Sequence, residues 1–126
     1  MIIFLYGLDF YRRRQKLKEI IEEYRQRGAD NRCFDFSDSD SEEEFLRFKE
    51  FISNRSIFNN KKLAVIENVF SCENPKPIIE ILKHNLEGND LVLIVSEEKK
   101  PAKDFSFLLK KPVIFQELKI LESAQF

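Results

Sequence analysis

The chain has 126 residues, 43% of them hydrophobic and 34% charged, with a net charge of −1 and an isoelectric point near 5.9. That length carries one hydrophobic core without disulfide or metal support, and the composition is not that of a disordered or membrane-embedded chain. The balanced charge argues against a domain that binds nucleic acid by bulk electrostatics and leaves room only for a local basic patch.

Ile2 to Tyr6 is a continuous apolar run ended by Gly7, the pattern of a strand buried on both faces of a parallel sheet. From Asp9 to Arg27 the residues Leu17, Ile20, Ile21 and Tyr24 fall at helical spacing, with Asp9 as the cap and Gly28 as the left-handed stop. Cys33, Phe34 and Phe36 predict a short second strand, and Ser37 to Ser41 a polar loop. Ser41 and Glu44 form a capping box that opens a helix carrying Phe45, Phe48, Phe51 and Ile52 and stopping near Asn54. Leu63 to Ile66 is the third strand. Asn74, Pro75 and Pro77 mark the entry to a helix through Ile78, Ile81, Leu82 and Leu86, closed by Gly88. Leu91 to Val95 is the fourth strand, Asp104 to Lys111 a short helix after Pro101, and Val113 to Phe115 the fifth strand. Lys119 to Phe126 reads as the beginning of a further helix. Strands that alternate with helices, each a short apolar run, call for an α/β three-layer sandwich: a five-stranded parallel sheet covered on both faces.

Thirteen Phe with no Trp implies a Phe-rich core, and any Phe at the surface raises a functional question. Cys33 and Cys72 belong to no C-x-x-C pair and read as ordinary reduced cysteines. Met1 runs straight into apolar residues without a basic region, and the run is too short for a signal peptide or a span, so a cytoplasmic location is expected.

In an open parallel sheet, ligands bind beyond the carboxyl ends of the strands, which singles out the turn Tyr6-Gly7-Leu8-Asp9-Phe10-Tyr11-Arg12. It has neither the second glycine nor the Lys-Ser/Thr of a phosphate-binding loop, and bulky Leu8 and Phe10 stand where a dinucleotide fingerprint needs glycine. Asp9, Asp35, Glu67 and Asp90 lie near the predicted strand ends. They could assemble a magnesium site, although charged residues at such places are commonly caps and solvated loops. His84 is a lone histidine on a helix and reads as a surface or boundary residue. Arg12, Arg13, Arg14, Lys16 and Lys18 crowd the first helix, offset by Glu19, Glu22 and Glu23, which reads as a solvated face with i,i+4 pairs. Asn54 to Lys62 is polar with two large apolar residues in its middle, Ile57 and Phe58. Either they fold back on the sheet edge, or they form a hydrophobic wedge that a partner pocket recognises.

Three stretches together resemble the N-terminal domain of the delta subunit of the bacterial DNA polymerase III clamp loader. They are Ile3 to Tyr11 with Arg14, then Ser56-Ile57-Phe58-Asn59-Asn60-Lys61-Lys62 running into Leu63 to Asn68, and Leu91 to Val95 with the later Phe107 to Lys111. The similarity spans nearly the whole chain in register, and departs from the family pattern at Glu97 to Asp104. It implies an AAA+/P-loop-like fold with a degenerate nucleotide site, forming one domain over residues 1–126, the family's lid and collar domains being absent from this chain. It further implies a non-catalytic role in DNA replication without cofactor or metal. In that role Ile57 and Phe58 insert into a pocket of the DNA sliding clamp, with Ser56, Asn59 and Lys61 at the rim. Other clamp-loader subunits would be partners if the natural chain is longer; DNA contact by this domain is expected to be weak, and membrane contact is not expected. The competing reading from the carboxylates is a magnesium-dependent nuclease or phosphotransferase using Asp9, Asp35 and Glu67. A third is a scaffold domain with Ile57 and Phe58 buried.

Overall fold

The computed structural model describes residues 1–37, 41–54, 61–72, 74–88 and 90–119. In chain order the elements are β1 (Ile2–Tyr6), α1 (Phe10–Gln26), β2 (Asp30–Asp35), α2 (Ser41–Ser53) and β3 (Lys62–Glu67). A 3₁₀ turn at Val69–Ser71 follows, then α3 (Lys76–His84), β4 (Leu91–Glu97), a second 3₁₀ segment at Lys103–Leu109 and β5 (Ile114–Glu117). The five strands form one all-parallel sheet in the order β2-β3-β4-β1-β5. The α/β class and the five-stranded parallel sheet are thus as the sequence implies. Among the described residues no helix is long and apolar enough to cross a membrane.

The direction of each crossover decides which face it covers. The chain runs one way across the sheet from β1 to β2 and the opposite way in every later step. Right-handed connections therefore put α1 alone on one face and α2, α3 and the second 3₁₀ segment on the other. Two cores follow. Leu17 of α1 packs with Ile3, Leu5, Leu63, Val65, Val92 and Ile94, whereas Phe48, Phe51, Ile78, Leu82, Phe105 and Leu108 cover the larger core over Phe4, Ile66 and Val95. Burial on both faces explains why β1, β3 and β4 read as continuous apolar runs rather than alternating ones.

The element bounds differ from expectation where side chains carry little apolar signal. β2 begins at Asp30 and ends at Asp35, because its pairing with β3 is backbone-driven while Asp30, Arg32 and Cys33 face water. α3 ends at His84 rather than near Leu86, since Asn85 donates its side-chain amide to Ile81 O at 2.7 Å and takes the carbonyl that another turn would use. Lys103–Leu109 is 3₁₀ because Phe105 and Leu108, three apart, are both buried, and i,i+3 side chains eclipse in that geometry. β5 runs to Glu117, and its Ile114 and Phe115 are exposed at the sheet edge.

Gly7 is the one glycine of the three with main chain pressed against its α-carbon. Its φ is +137°, and a Cβ there would stand 2.2 Å from Leu118 O, whereas Gly28, at φ +86°, has open space around it. Gly7→Ala is therefore expected to cost about 3 kcal/mol or more and Gly28→Ala about 1 kcal/mol, read as urea unfolding free energies.

Candidate functional site

The two neighbouring central strands β4 and β1 send their connections to opposite faces, so a cleft opens beyond their carboxyl ends. A cavity of about 520 Å³ lies there, bounded by Tyr6, Gly7, Leu8, Lys99, Lys100 and Glu117 among others. The turn after β1 is already occupied by main chain. Gly7 N donates to Glu97 O at 3.1 Å, Asp9 N to Leu118 O at 3.1 Å, and Leu118 N to Tyr6 O at 2.7 Å. Asp9 caps α1, its Oδ1 accepting from Arg12 N at 3.0 Å. Two of the amides that a phosphate loop would turn toward an anion are thus bonded within the protein.

The arginines of the first helical turn complete this closure, which corrects their reading as a merely solvated face. Arg13 Nη1 donates to Gly7 O at 2.7 Å and to Glu97 O at 2.8 Å, bridging the ends of β1 and β4. Arg14 pairs with Glu67 at 3.0 Å, and Arg12 donates to Lys119 O at 3.1 Å. The i,i+3 and i,i+4 pairs of α1 sit instead in its later turns, Glu22 with Arg25 and Glu23 with Arg27. Arg13 and Arg14 also lie over the ring of Phe10, 5.6 and 5.4 Å from its centroid. Phe10 is 60% exposed and stands between Leu8 and Tyr11, both exposed as well.

Of the strand-end carboxylates, Asp35 and Glu67 are register partners at the carboxyl ends of β2 and β3, whereas Asp9 and Asp90 lie elsewhere. Asp35 Oδ1 accepts from Asn68 Nδ2 and Ser37 N, each at 2.9 Å. Burial pushes its pKa up, but these bonds outweigh it and hold the group below its ordinary value. Glu67 is taken by Arg14, Asp9 by its cap, and Asp90 lies before β4 at the other end of the sheet, its carbonyl accepting from Lys62 N at 2.8 Å. Among the described residues no three His, Cys, Asp or Glu stand close enough to hold a metal ion. His84 is exposed in the last turn of α3.

Glu97 is the group the sequence reading missed. It ends β4 in register with Tyr6, is 5% exposed, and its Oε2 accepts from Val69 N at 2.6 Å. Burial raises its pKa to about 7, against the lowering effect of N–H bonds from Val69, Phe70 and Asn68 and of the Arg13 charge. The available signal was its position: two residues past Val95, in strand phase, at the end of the apolar run. The phenol of Tyr6 is raised by burial and by Glu117.

Ser56, Ile57, Phe58 and Asn59 lie outside the described residues; Lys61 is described and exposed. Their flanks are fixed. Asn54 N donates to Glu50 O at 3.0 Å at the end of α2, and Lys61 O accepts from Asp30 N at 3.0 Å just before β3. Lys62 Nζ donates to Phe51 O at 2.5 Å and sits over the Phe51 ring, tying α2 to the start of β3. A cavity of about 410 Å³ adjoins these flanks, bounded by Arg32, Arg47, Phe51, Asn54 and Lys62 among others. The connection therefore leaves and re-enters the fold at the amino end of β3, opposite the Gly7 turn.

No protein-family model matches the chain, and no curated protein is significantly similar to it.

Arg13 and Arg14 differ in what they hold. Arg13→Ala removes two charge-assisted bonds to main-chain carbonyls and is expected to cost about 2 to 3 kcal/mol in urea unfolding. Arg14→Ala, which breaks a half-exposed ion pair, should cost less than about 1 kcal/mol.

Proposed function

We propose that this chain is a non-catalytic clamp-binding module with an AAA+/P-loop-like sheet whose nucleotide site has degenerated. Ile57 and Phe58 are the anchors inserted into the DNA sliding clamp, and Ser56, Asn59 and Lys61 form the rim. The supporting observation is the filled switch-point turn: Gly7 and Asp9 amides bonded to Glu97 and Leu118, with Arg13 across them. A strand–turn–helix unit in that place, kept in shape and closed by its own main chain, suits a domain that has no hydrolytic step to perform. Asp9 caps α1, Asp35 accepts from Asn68 and Ser37, and Glu67 pairs with Arg14, engagements that favour this reading over a magnesium nuclease.

The wedge would act by differential binding: a contact that fits the open ring better than the closed one shifts the ring toward opening without hydrolysis. An anchor pair between α2 and β3 suits this, because both flanks are held by the hydrogen bonds at Asn54, Lys61 and Lys62.

Surface plasmon resonance against the purified sliding clamp tests the reading. Ile57→Ala and Phe58→Ala should each weaken binding about 30-fold, corresponding to roughly 2 kcal/mol, with the melting temperature unchanged. Undiminished binding by the double variant, correctly folded, would sink the proposal. In parallel, about 1 mM Mg-ATP should leave the melting temperature where it is, since a bound nucleotide would raise it by mass action.

A further inference from the structure

Not every side chain at the carboxyl end of the sheet takes part in closing it. Leu8, Phe10 and Tyr11 are large apolar residues left in water, and they stand together on the turn after β1 and the first turn of α1, with Tyr11 74% exposed. The Phe10 ring lies against the guanidinium groups of Arg13 and Arg14, and Leu8 lines one cleft with Tyr6, Lys99, Lys100 and Lys119. Arg12 joins the helix to that cleft through its bond to Lys119 O at 3.1 Å. On the helix itself Tyr11, Arg14 and Lys18 share one side at i, i+3 and i+7, while Lys16 follows Arg12 at i+4.

Charge here is distributed unlike that of the whole chain. α1 carries Arg12, Arg13, Arg14, Lys16 and Lys18 before its first carboxylate, Glu19, and has no acid in its first turn. The helix dipole favours the reverse, acids early and cations late, and α2 obeys it with Glu42, Glu43 and Glu44 in its first turn. Arg13 and Arg14 have structural partners, but Lys16, Lys18, Lys99 and Lys100 form no ion pair among the described residues. The carboxylates around the cleft and the helix start are mostly engaged. Asp9 caps α1, Glu67 pairs with Arg14 and Glu117 lies 3.9 Å from Lys119, which leaves exposed Glu98. A net charge of −1 thus conceals a local excess of cations.

We propose that this surface binds single-stranded nucleic acid, with Tyr11 and Phe10 stacking on exposed bases and Arg12, Lys99, Lys100 and Lys119 holding phosphates along the cleft. Aromatic side chains interleaved with cations that lack internal partners are the combination such a strand requires, because every base offers a π-face and every nucleotide a phosphate. A duplex keeps its bases stacked inside and would give the two rings nothing to stack on. A lipid surface fits less well, because the apolar stripe of α1, formed by Leu17, Ile20, Ile21 and Tyr24, is packed against the sheet and not offered to a bilayer. Stacking and phosphate contact read neither base identity nor sugar, so strands of DNA and RNA are expected to bind alike. The surface lies at the opposite end of the sheet from the connection between α2 and β3, so the two ends can be occupied together.

Fluorescence anisotropy of the whole chain with labelled oligo-dT and oligo-U, each of about 15 nucleotides, tests this. Both should bind with a dissociation constant on the order of 10 μM at about 50 mM salt, and the log–log dependence of the binding constant on salt should have a slope of about −2, as for roughly three phosphates. Tyr11→Ala should weaken binding about tenfold with the melting temperature unchanged. Lys99→Ala combined with Lys100→Ala should flatten the slope by about 1, whereas Lys49→Ala, on the exposed side of α2 across the sheet, should change neither quantity. Dissociation constants above about 1 mM for both strands, a duplex of the same length bound as tightly, or undiminished binding by correctly folded Tyr11→Ala would each overturn the proposal. Capture of phosphatidylserine vesicles without binding of either strand would overturn it in favour of a lipid surface. Should Tyr11→Ala not fold, the slope of the lysine pair decides alone, an unchanged slope counting against the proposal. Clamp binding plays no part in this test, so either proposal can fail without the other.

Discussion

The close approach of Leu118 to Gly7 is the constraint around which the carboxyl end of the sheet is organised. The Leu118 main chain lies where a side chain at position 7 would begin, and the two residues are themselves bonded to Tyr6, Asp9 and Glu97: Gly7 N donates to Glu97 O, Leu118 N to Tyr6 O, and Leu118 O accepts from Asp9 N. Three strands, β4, β1 and β5, are thereby fastened at one point. A glycine is needed there for two separate reasons, the positive φ and the absence of a Cβ, and either alone would exclude most residues. The start of α1 depends on this fastening, because Asp9, its cap, is itself positioned by the bond from its N–H to Leu118 O.

Electrostatics at this end is arranged around main-chain carbonyls more than around opposed charges. Arg13 spends its donors on Gly7 O and Glu97 O, and Arg12 on Lys119 O. Carbonyls at strand ends, whether free of the ladder or with a second lone pair to offer as at Glu97, are acceptors that a guanidinium with five donors is well suited to collect. This explains how a helix that looks amphipathic and solvated in sequence contributes to closing the sheet. It also shows why net charge was a poor guide: the balance of −1 says nothing about which cations are already engaged.

Much of the fold was legible because burial on both faces leaves a strong mark. β1 was readable to the residue, and β3 and β4 were readable as runs with their polar ends missed, since Lys62, Ser96 and Glu97 carry the ladder without apolar side chains. β2 and β5 were located less well because an edge strand can be held by backbone pairing while its side chains face water. The Val69–Ser71 turn carried no periodic signal, its cause being one left-handed Asn and a carboxylate distant in sequence. That the turn lacks a phosphate loop's second glycine and Lys-Ser/Thr was legible. What fills the turn was not, because Arg13 meets Glu97 only once β4 lies beside β1. The clamp-binding anchors rest on resemblance alone, and Lys61 is the one residue of that group with a described position.

The carboxyl end is closed from inside by two charged side chains. Arg13 lies across the turn with two main-chain carbonyls as its acceptors, and the Glu97 carboxylate accepts from Val69 N. A domain whose ligand completes its structure is stabilised only in proportion to ligand supply, and its conformation varies with occupancy. When the chain provides these groups itself, that dependence disappears, and the remaining sensitivity is to what can alter the groups in place. For Arg13 that is almost nothing, because a guanidinium stays charged across the accessible pH range. Glu97 is different, since a buried carboxylate can always be relieved by a proton. A sheet end closed by the chain's own charges therefore depends on no small molecule, and pH at one buried carboxyl is the condition that can alter it.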